Sequence, residues 1–222
     1  MRPTMFRDRA DAGRRLASAV AELGLPDPVI LGLPRGGVPV AREVAAALGA
    51  PLDVLVVRKL GAPSYPEFGV GAIGEGGVEV LDGSSLRRLG LTREALEPTI
   101  ASESEELQRR VTRYRGEQPR IEVAGRDAVV VDDGLATGVS ALAAVGVLRR
   151  RGPRTITLAV PVGAPRSVER LRSEVDRVVV LETPAGFGAV GSFYLDFGQT
   201  TDDEVAAILR TAGTTPGNGP PR

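Results

Sequence analysis

Two adjacent carboxylates, Asp132 and Asp133, close the apolar run Asp127 to Val131 and open onto Gly134-Leu135-Ala136-Thr137-Gly138-Val139-Ser140, which leads into a segment of helical period. A strand, a loop of small residues and a helix start form an anion site, because free backbone N–H groups and the positive end of the helix dipole converge there. Thr137 and Ser140 add hydroxyl donors for a phosphate. The acids just upstream suit a sugar, since one carboxylate accepts hydrogen bonds from vicinal hydroxyls while its neighbour helps hold a metal. The chain has no histidine and no cysteine. Thiol nucleophiles, histidine-based triads, disulfides and the usual zinc sites are therefore excluded, and a metal would sit on oxygen ligands, as Mg2+ does. The competing reading of the acid pair is a strand end that turns and caps the next helix.

A second loop, Leu33-Pro34-Arg35-Gly36-Gly37, stands between an apolar run and a helical segment. Gly36 and Gly37 let backbone amides approach an anion closely, and Arg35 can grip it through two N–H groups. A third loop follows Arg58 and Lys59. Two adjacent cations at the end of a core strand are costly unless they are solvated or meet an anion, and a pyrophosphate would be such a partner. The chain lacks the Gly-Lys-Ser/Thr of a Walker loop at the acid-pair helix and the Gly-x-Gly-x-x-Gly of a dinucleotide fold, so neither nucleoside-triphosphate hydrolysis nor hydride transfer is favoured.

The segment Val129 to Gly138 resembles the 5-phosphoribosyl-1-pyrophosphate (PRPP) signature of the type I phosphoribosyltransferases: an apolar strand, two acids, two variable residues, then Ala or Asp, Thr and Gly. As a fold pattern the resemblance covers roughly residues 28 to 198. It implies transfer of the 5-phosphoribosyl group from PRPP to a nitrogen base or related heterocycle, with release of pyrophosphate and with Mg2+ as cofactor. It also implies roles residue by residue. Asp132 and Asp133 would face the ribose 2′- and 3′-hydroxyls and the metal. Ala136, Thr137, Gly138, Val139 and Ser140 would cradle the 5′-phosphate, with Gly134 and Leu135 beside them. Arg35, Gly36 and Gly37 match the pyrophosphate loop, and Arg58 and Lys59 the basic position before a closing lid. Arg35 and Lys59 would stabilise the departing pyrophosphate. Ser64-Tyr65 matches a pair found in the lids of some purine-using members. Phe187, Phe193 and Tyr194 are similar to the hood aromatics that stack on the base. Many relatives are dimers, which leads to the expectation of a homodimer.

Two departures bear on the acceptor. Members that use 6-oxopurines carry an Asp where this chain has Ala136, and a lysine after the next core strand where it has Val160-Pro161-Val162. Hypoxanthine and guanine are disfavoured, while adenine, orotate, uracil, xanthine or another nitrogen heterocycle stay open. A PRPP-binding regulator without transferase activity is the alternative from another class. It should carry a basic face or a DNA-binding module. A PRPP-making diphosphokinase would need an ATP site that is not visible.

The elements that must position these loops follow from the hydrophobic pattern. Runs rich in Val, Ile and Leu alternate with helical segments, the mark of an α/β fold with a buried parallel sheet, a Rossmann-like core. Strands are predicted at Pro28 to Leu33, Leu52 to Arg58, Asp127 to Val131, Thr155 to Val160 and Arg177 to Leu181. Helices are predicted at Asp8 to Leu23, Gly37 to Leu48, Thr92 to Tyr114, Val139 to Arg151, Pro165 to Ser173 and Thr201 to Thr211. Two stretches interrupt the alternation: a Gly- and Pro-rich flexible lid at about 60–83, whose piece Gly77 to Leu81 could be one arm of a hairpin, and a small C-terminal hood at about 182–199. The hood holds four of the eight aromatic residues. Residues 1–212 read as a single domain and 213–222 as a disordered polar tail. Arg7, Arg9, Arg14, Arg15, Arg109, Arg110, Arg113 and Arg115 read as solvated faces with ion pairs. The 28 basic and 28 acidic residues balance, which argues against a nucleic-acid partner. No run approaches membrane-spanning length and the N-terminus lacks a signal-like apolar stretch, so the expectation is a cytoplasmic protein without a membrane partner.

Overall fold

The computed structural model describes residues 5–212. The chain runs α1 (Arg9–Ala21), β1 (Pro28–Gly32), α2 (Gly37–Leu48), β2 (Leu52–Val54), β3 (Val57–Ala62), β4 (Tyr65–Gly74), β5 (Val78–Leu81) and α3 (Gly83–Leu89). It continues through α4 (Glu97–Arg115), β6 (Asp127–Val131), α5 (Val139–Arg150), β7 (Thr155–Val162), α6 (Pro165–Arg172), β8 (Arg177–Glu182) and α7 (Asp202–Ala212). The tail expected at 213–222 lies outside the described residues.

Strand β6 is buried along its whole length, as a parallel strand covered on both faces must be. Its alternate side chains serve different cores, because successive Cβ atoms point to opposite faces of the sheet. Ala128 and Val130 join Val29 and Leu31 of β1 and Leu148 of α5 on one face. Val129 and Val131 join Ile30 of β1, Leu16 and Val20 of α1 and Val44 of α2 on the other. The resulting sheet has five parallel strands in the order β2-β1-β6-β7-β8. From β1 the chain moves outward to β2, and from β6 it moves the opposite way to β7 and β8. The order therefore reverses between β1 and β6, and the loops after these two strands diverge over the crevice where α/β sheets bind ligands. Register sets Gly32 level with both Val54 and Val131, so that crevice opens at one edge of the sheet.

The predicted strand from Leu52 to Arg58 is two strands in two sheets. Leu52–Val54 pairs with β1, whereas Val57–Ala62 pairs antiparallel with β4. The run reads as one buried strand because both sheets bury it, with Leu55 and Val56 covered at the crossing. The stretch expected to be a flexible lid is likewise mostly strand. β3, β4 and β5 form a three-stranded antiparallel sheet, in which the expected hairpin arm is β5. Gly69, Gly71 and Gly74 disguise β4 as a loop in the sequence. Helix α3 was not anticipated, and Asp82 starts it by accepting the Ser84 N–H at 2.9 Å. The helix predicted from Thr92 begins instead at Glu97, after a single 3-10 turn at Glu94–Leu96. Pro98 explains the start, since a residue without an N–H is tolerated in a first helical turn. Arg115 at the end of α4 is not solvated. Its Nε meets Asp53 at 3.0 Å and its Nη1 meets Glu75 at 2.6 Å, all three side chains being buried, so this network fastens the second sheet to the first.

Candidate functional site

The loop after β1 and the loop after β6 are built as one surface. Leu33 N–H donates to the Val131 carbonyl at 2.8 Å, and Gly37 N–H returns to the Leu33 carbonyl at 3.0 Å. Downstream of the acid pair, buried Leu135 anchors its loop to the sheet. Its N–H donates to the Val162 carbonyl and its carbonyl accepts from Ala164, both at 2.8 Å. The Ala136 carbonyl accepts from the Ser167 hydroxyl at 2.5 Å. Gly138 then turns into α5 with φ 74°, a left-handed conformation that a side chain would strain. No side chain caps the start of α5. Its first amides stay available, and Thr137 and Ser140 beside them are exposed. Together they make the anion site that the residue types required.

Asp132 and Asp133 stand at the mouth of this cradle, both half-buried. A Cβ at Gly36 would overlap the Asp133 carboxylate, and one at Gly37 would lie 2.5 Å from the Val131 carbonyl oxygen. Only glycine lets the first loop come so close to the second. The Asp132 Oδ1 accepts from the Asp133 N–H at 2.9 Å. Asp133 Oδ2 accepts from Arg9 Nε at 2.9 Å. Burial pushes the Asp132 carboxyl well above the usual carboxylate range, and the neighbouring Asp133 charge adds to this, against the pull of the Asp133 N–H and Arg9. Burial also raises Asp133, with Arg9 opposing. Two acids thus share one guanidinium, and the pair retains an appetite for donors and cations. Among the described residues no group of three or more acidic side chains could enclose a metal.

Residues 6–197 match the family model described as the phosphoribosyl transferase domain. The chain belongs to this family. It is 52% identical over 208 residues to a Mycobacterium tuberculosis (strain H37Rv) protein provisionally named a phosphoribosyl transferase, covering 94% of this chain and 47% of that protein. The chain therefore spans about half the length of this relative. A Thermus thermophilus protein of known crystal structure superposes with a TM-score of 0.86 at 52% identity, over 93% of this chain and 98% of its own. A uracil phosphoribosyltransferase of Thermoanaerobacter pseudethanolicus is 26% identical over 181 residues, 80% of this chain and 78% of its own.

Within this phosphoribosyl transferase domain the predicted site residues separate into two sets. The structure gathers Gly36, Gly37, Asp132, Asp133 and Gly134 to Ser140 into one crevice. Leu135 contributes backbone there, since its side chain is core. Arg35, joined to Pro34 through a cis peptide, is exposed, and its acidic neighbour is Asp202 at 3.9 Å. The second set is carried by β3, the β3–β4 hairpin and the hood. Arg58 on β3 is engaged by Glu103 of α4 at 2.6 Å, so its anion is a protein carboxylate, whereas Lys59 faces the other way and is exposed. Ser64 and Tyr65 form the tip of the β3–β4 hairpin, with Tyr65 67% exposed. Phe193 and Tyr194, read as base-stacking residues, are buried in a small core with Phe6. Phe187 stacks on Phe193 at 5.5 Å and keeps partial exposure.

Tyr194, read as a stacking aromatic, serves the acid pair instead, and Arg9 escaped the sequence reading as a site residue. Tyr194 donates its hydroxyl to the Asp133 carbonyl at 2.6 Å, and burial raises its pKa so that it stays a donor. Arg9, assigned to a solvated face, is largely buried against Asp133, and no feature of its local sequence distinguishes it from Arg7 or Arg14. A cavity of about 900 Å3 is lined in part by Ala50, Pro51, Leu52 and Arg126. It lies at the amino ends of the strands, whereas ligands of such sheets bind beyond the carboxyl ends, where the acid pair stands.

Proposed function

We propose that this domain binds PRPP in the crevice between β1 and β6 and transfers its 5-phosphoribosyl group to a nitrogen heterocycle, releasing pyrophosphate. The observation that carries the reading is the apposition of Asp132-Asp133 to Gly36-Gly37 beside the uncapped start of α5. One crevice thereby offers acceptors for a sugar diol, donors for its 5′-phosphate and close backbone amides for a pyrophosphate. Two carboxylates with unshared oxygens fit Mg2+ that is bound mainly through substrate oxygens and water, the usual habit of this ion. When bound, it would supply charge stabilisation for the departing pyrophosphate.

In this mechanism the bond from ribose C1 to the pyrophosphate oxygen breaks and a bond from the acceptor nitrogen to C1 forms. The acid pair fixes the ring through its hydroxyls, and Thr137 and Ser140 with the first amides of α5 fix the 5′-phosphate. Holding both ends of the sugar presents C1 to the acceptor in one orientation. Arg35, only loosely held by Asp202, and Lys59 are assigned to the leaving group. Ala136 offers a methyl where a base would stand in 6-oxopurine enzymes, so the acceptor must lose its proton to another group or to water. The relatives named uracil phosphoribosyltransferases make uracil the first acceptor to assay, ahead of adenine, orotate and xanthine.

Calorimetric titration of PRPP with Mg2+ into the wild type and into Asp132→Asn/Asp133→Asn tests the site, followed by a screen of bases for pyrophosphate release. Binding that the double variant loses, with base-dependent release, is the expected result. Binding without turnover on any base would favour a PRPP-responsive regulator. No binding by the folded wild type would overturn the reading.

A further inference from the structure

We infer that Arg9 is a positioning residue of the phosphoribosyl site, one that aims the Asp133 carboxylate and couples the hood to it. The inference rests on the proposed function for its ligand, and on geometry for everything else. Arg9 is the first residue of α1, 124 positions before its partner. Its Nε donates to Asp133 Oδ2 at 2.9 Å and its Nη1 donates to the Gly198 carbonyl at 2.6 Å. The guanidinium carbon lies 4.0 Å from the centroid of the Phe197 ring. A planar cation held at one edge, at one tip and on one face has little freedom left. The Arg9 side chain is only 14% exposed, and that of Asp133 only 16%.

The grip leaves Asp133 useful. Among the described residues Oδ1 of Asp133 and Oδ2 of Asp132 have no hydrogen-bond partner, whereas the opposite oxygens are taken by Arg9 and by the Asp133 N–H. Arg9 thus occupies one oxygen of the acid and fixes the direction of the other. Its position against Gly36, whose added Cβ would come within 3.2 Å of Arg9 Nε, places it under the pyrophosphate loop as well. The N-terminal segment delivers it. Phe6 N–H donates to the Phe193 carbonyl, and Leu195 and Asp196 donate to the carbonyls of Phe6 and Arg7, at 2.8 to 2.9 Å. A segment outside the signature and its sheet thereby completes the site.

A purely structural ion pair would affect folding and leave ligands alone, or would weaken all ligands alike. A positioning role predicts selectivity. Arg9→Gln should weaken binding of PRPP and of ribose 5-phosphate, both measured with Mg2+, by about tenfold or more, since a charge-assisted contact sets the geometry of the acid. Binding of inorganic phosphate, which needs only Thr137, Ser140 and the α5 amides, should stay unchanged. Arg9→Lys keeps the charge without the planar fork, so it should show the same selectivity with a smaller loss. This variant carries the test should Arg9→Gln fail to fold. Unchanged affinity for ribose 5-phosphate in a folded variant, or equal weakening of phosphate, would overturn the inference. If the wild type itself binds neither PRPP nor ribose 5-phosphate, the proposed function fails instead.

Discussion

At the scale of single residues, the acid pair stands in a place chosen against stability. A carboxyl whose folded pKa is raised contributes stability below the unfolded carboxylate range and loses it as pH rises through the folded value. Burial and the neighbouring charge raise Asp132 in this way. At neutral pH without Mg2+ its charge is therefore a liability. Asp132→Asn keeps an oxygen for the Asp133 N–H and removes the charge. In metal-free buffer it should raise the thermal midpoint at pH 7, by about 2–4 °C for each kcal/mol recovered. The gain should vanish near about pH 3.5, where the aspartic acid is largely neutral as well. A difference that ignores pH would refute the assignment. Gly36→Ala should act in the opposite sense. Its methyl would overlap the Asp133 carboxylate, at a cost of about 1–3 kcal/mol for overpacking, and PRPP affinity should fall with the melting temperature.

At the scale of elements, Arg115 separates what the sequence could disclose from what it could not. The helical period of α4 places Arg109, Arg110, Arg113 and Arg115 on one polar segment, and nothing local sorts them. Arg109 and Arg110 share Glu106 at the surface, whereas Arg115 is enclosed by Asp53 of β2 and Glu75 from just beyond β4. Its partners lie 62 and 40 positions away, one on β2 and one just past the end of β4, a strand of the other sheet that was read as a loop. The acid-pair loop was legible because its strand, loop and helix are contiguous in the chain. Glycine density hid β4, and the burial of Leu55 and Val56 by both sheets hid the break between β2 and β3. Arg115→Met would leave two buried carboxylates without a counter-charge, and urea unfolding should register a loss of about 3–5 kcal/mol. Arg109→Met should stay within about 0.5 kcal/mol of the parent, as exposed substitutions do. Equal effects of the two would mean that the buried network does not fasten the sheets.

At the scale of the whole molecule, the N-terminal segment and the hood form a satellite core of their own. Phe6, Ala12, Val162, Phe193 and Tyr194 pack together apart from the two large clusters that flank the sheet, with Phe6 and Tyr194 at 5.4 Å between ring centroids. This cluster is small and meets the sheet through Val162 of β7 and Leu181 of β8, whereas β6 is buried on both faces, and sparsely packed regions open locally before the global transition. The hood aromatics looked like ligand-stacking residues in the sequence because aromatic type is all that a sequence shows. Their burial depends on Phe6, nearly 190 residues earlier in the chain. Hydrogen exchange on Phe6→Ala should reveal this unit. The amides of residue 6, Leu195 and Asp196, which bridge the two segments, should lose protection together, while those of Val129 to Val131 keep theirs relative to the global stability of the variant. Removing the ring costs about 3–5 kcal/mol where a cavity cannot collapse, enough to bring the local opening well below global unfolding. If the β6 amides accelerate in step with the hood, the hood is part of the global core. Arg9 would then be held by the whole fold, with no separable clasp at its end.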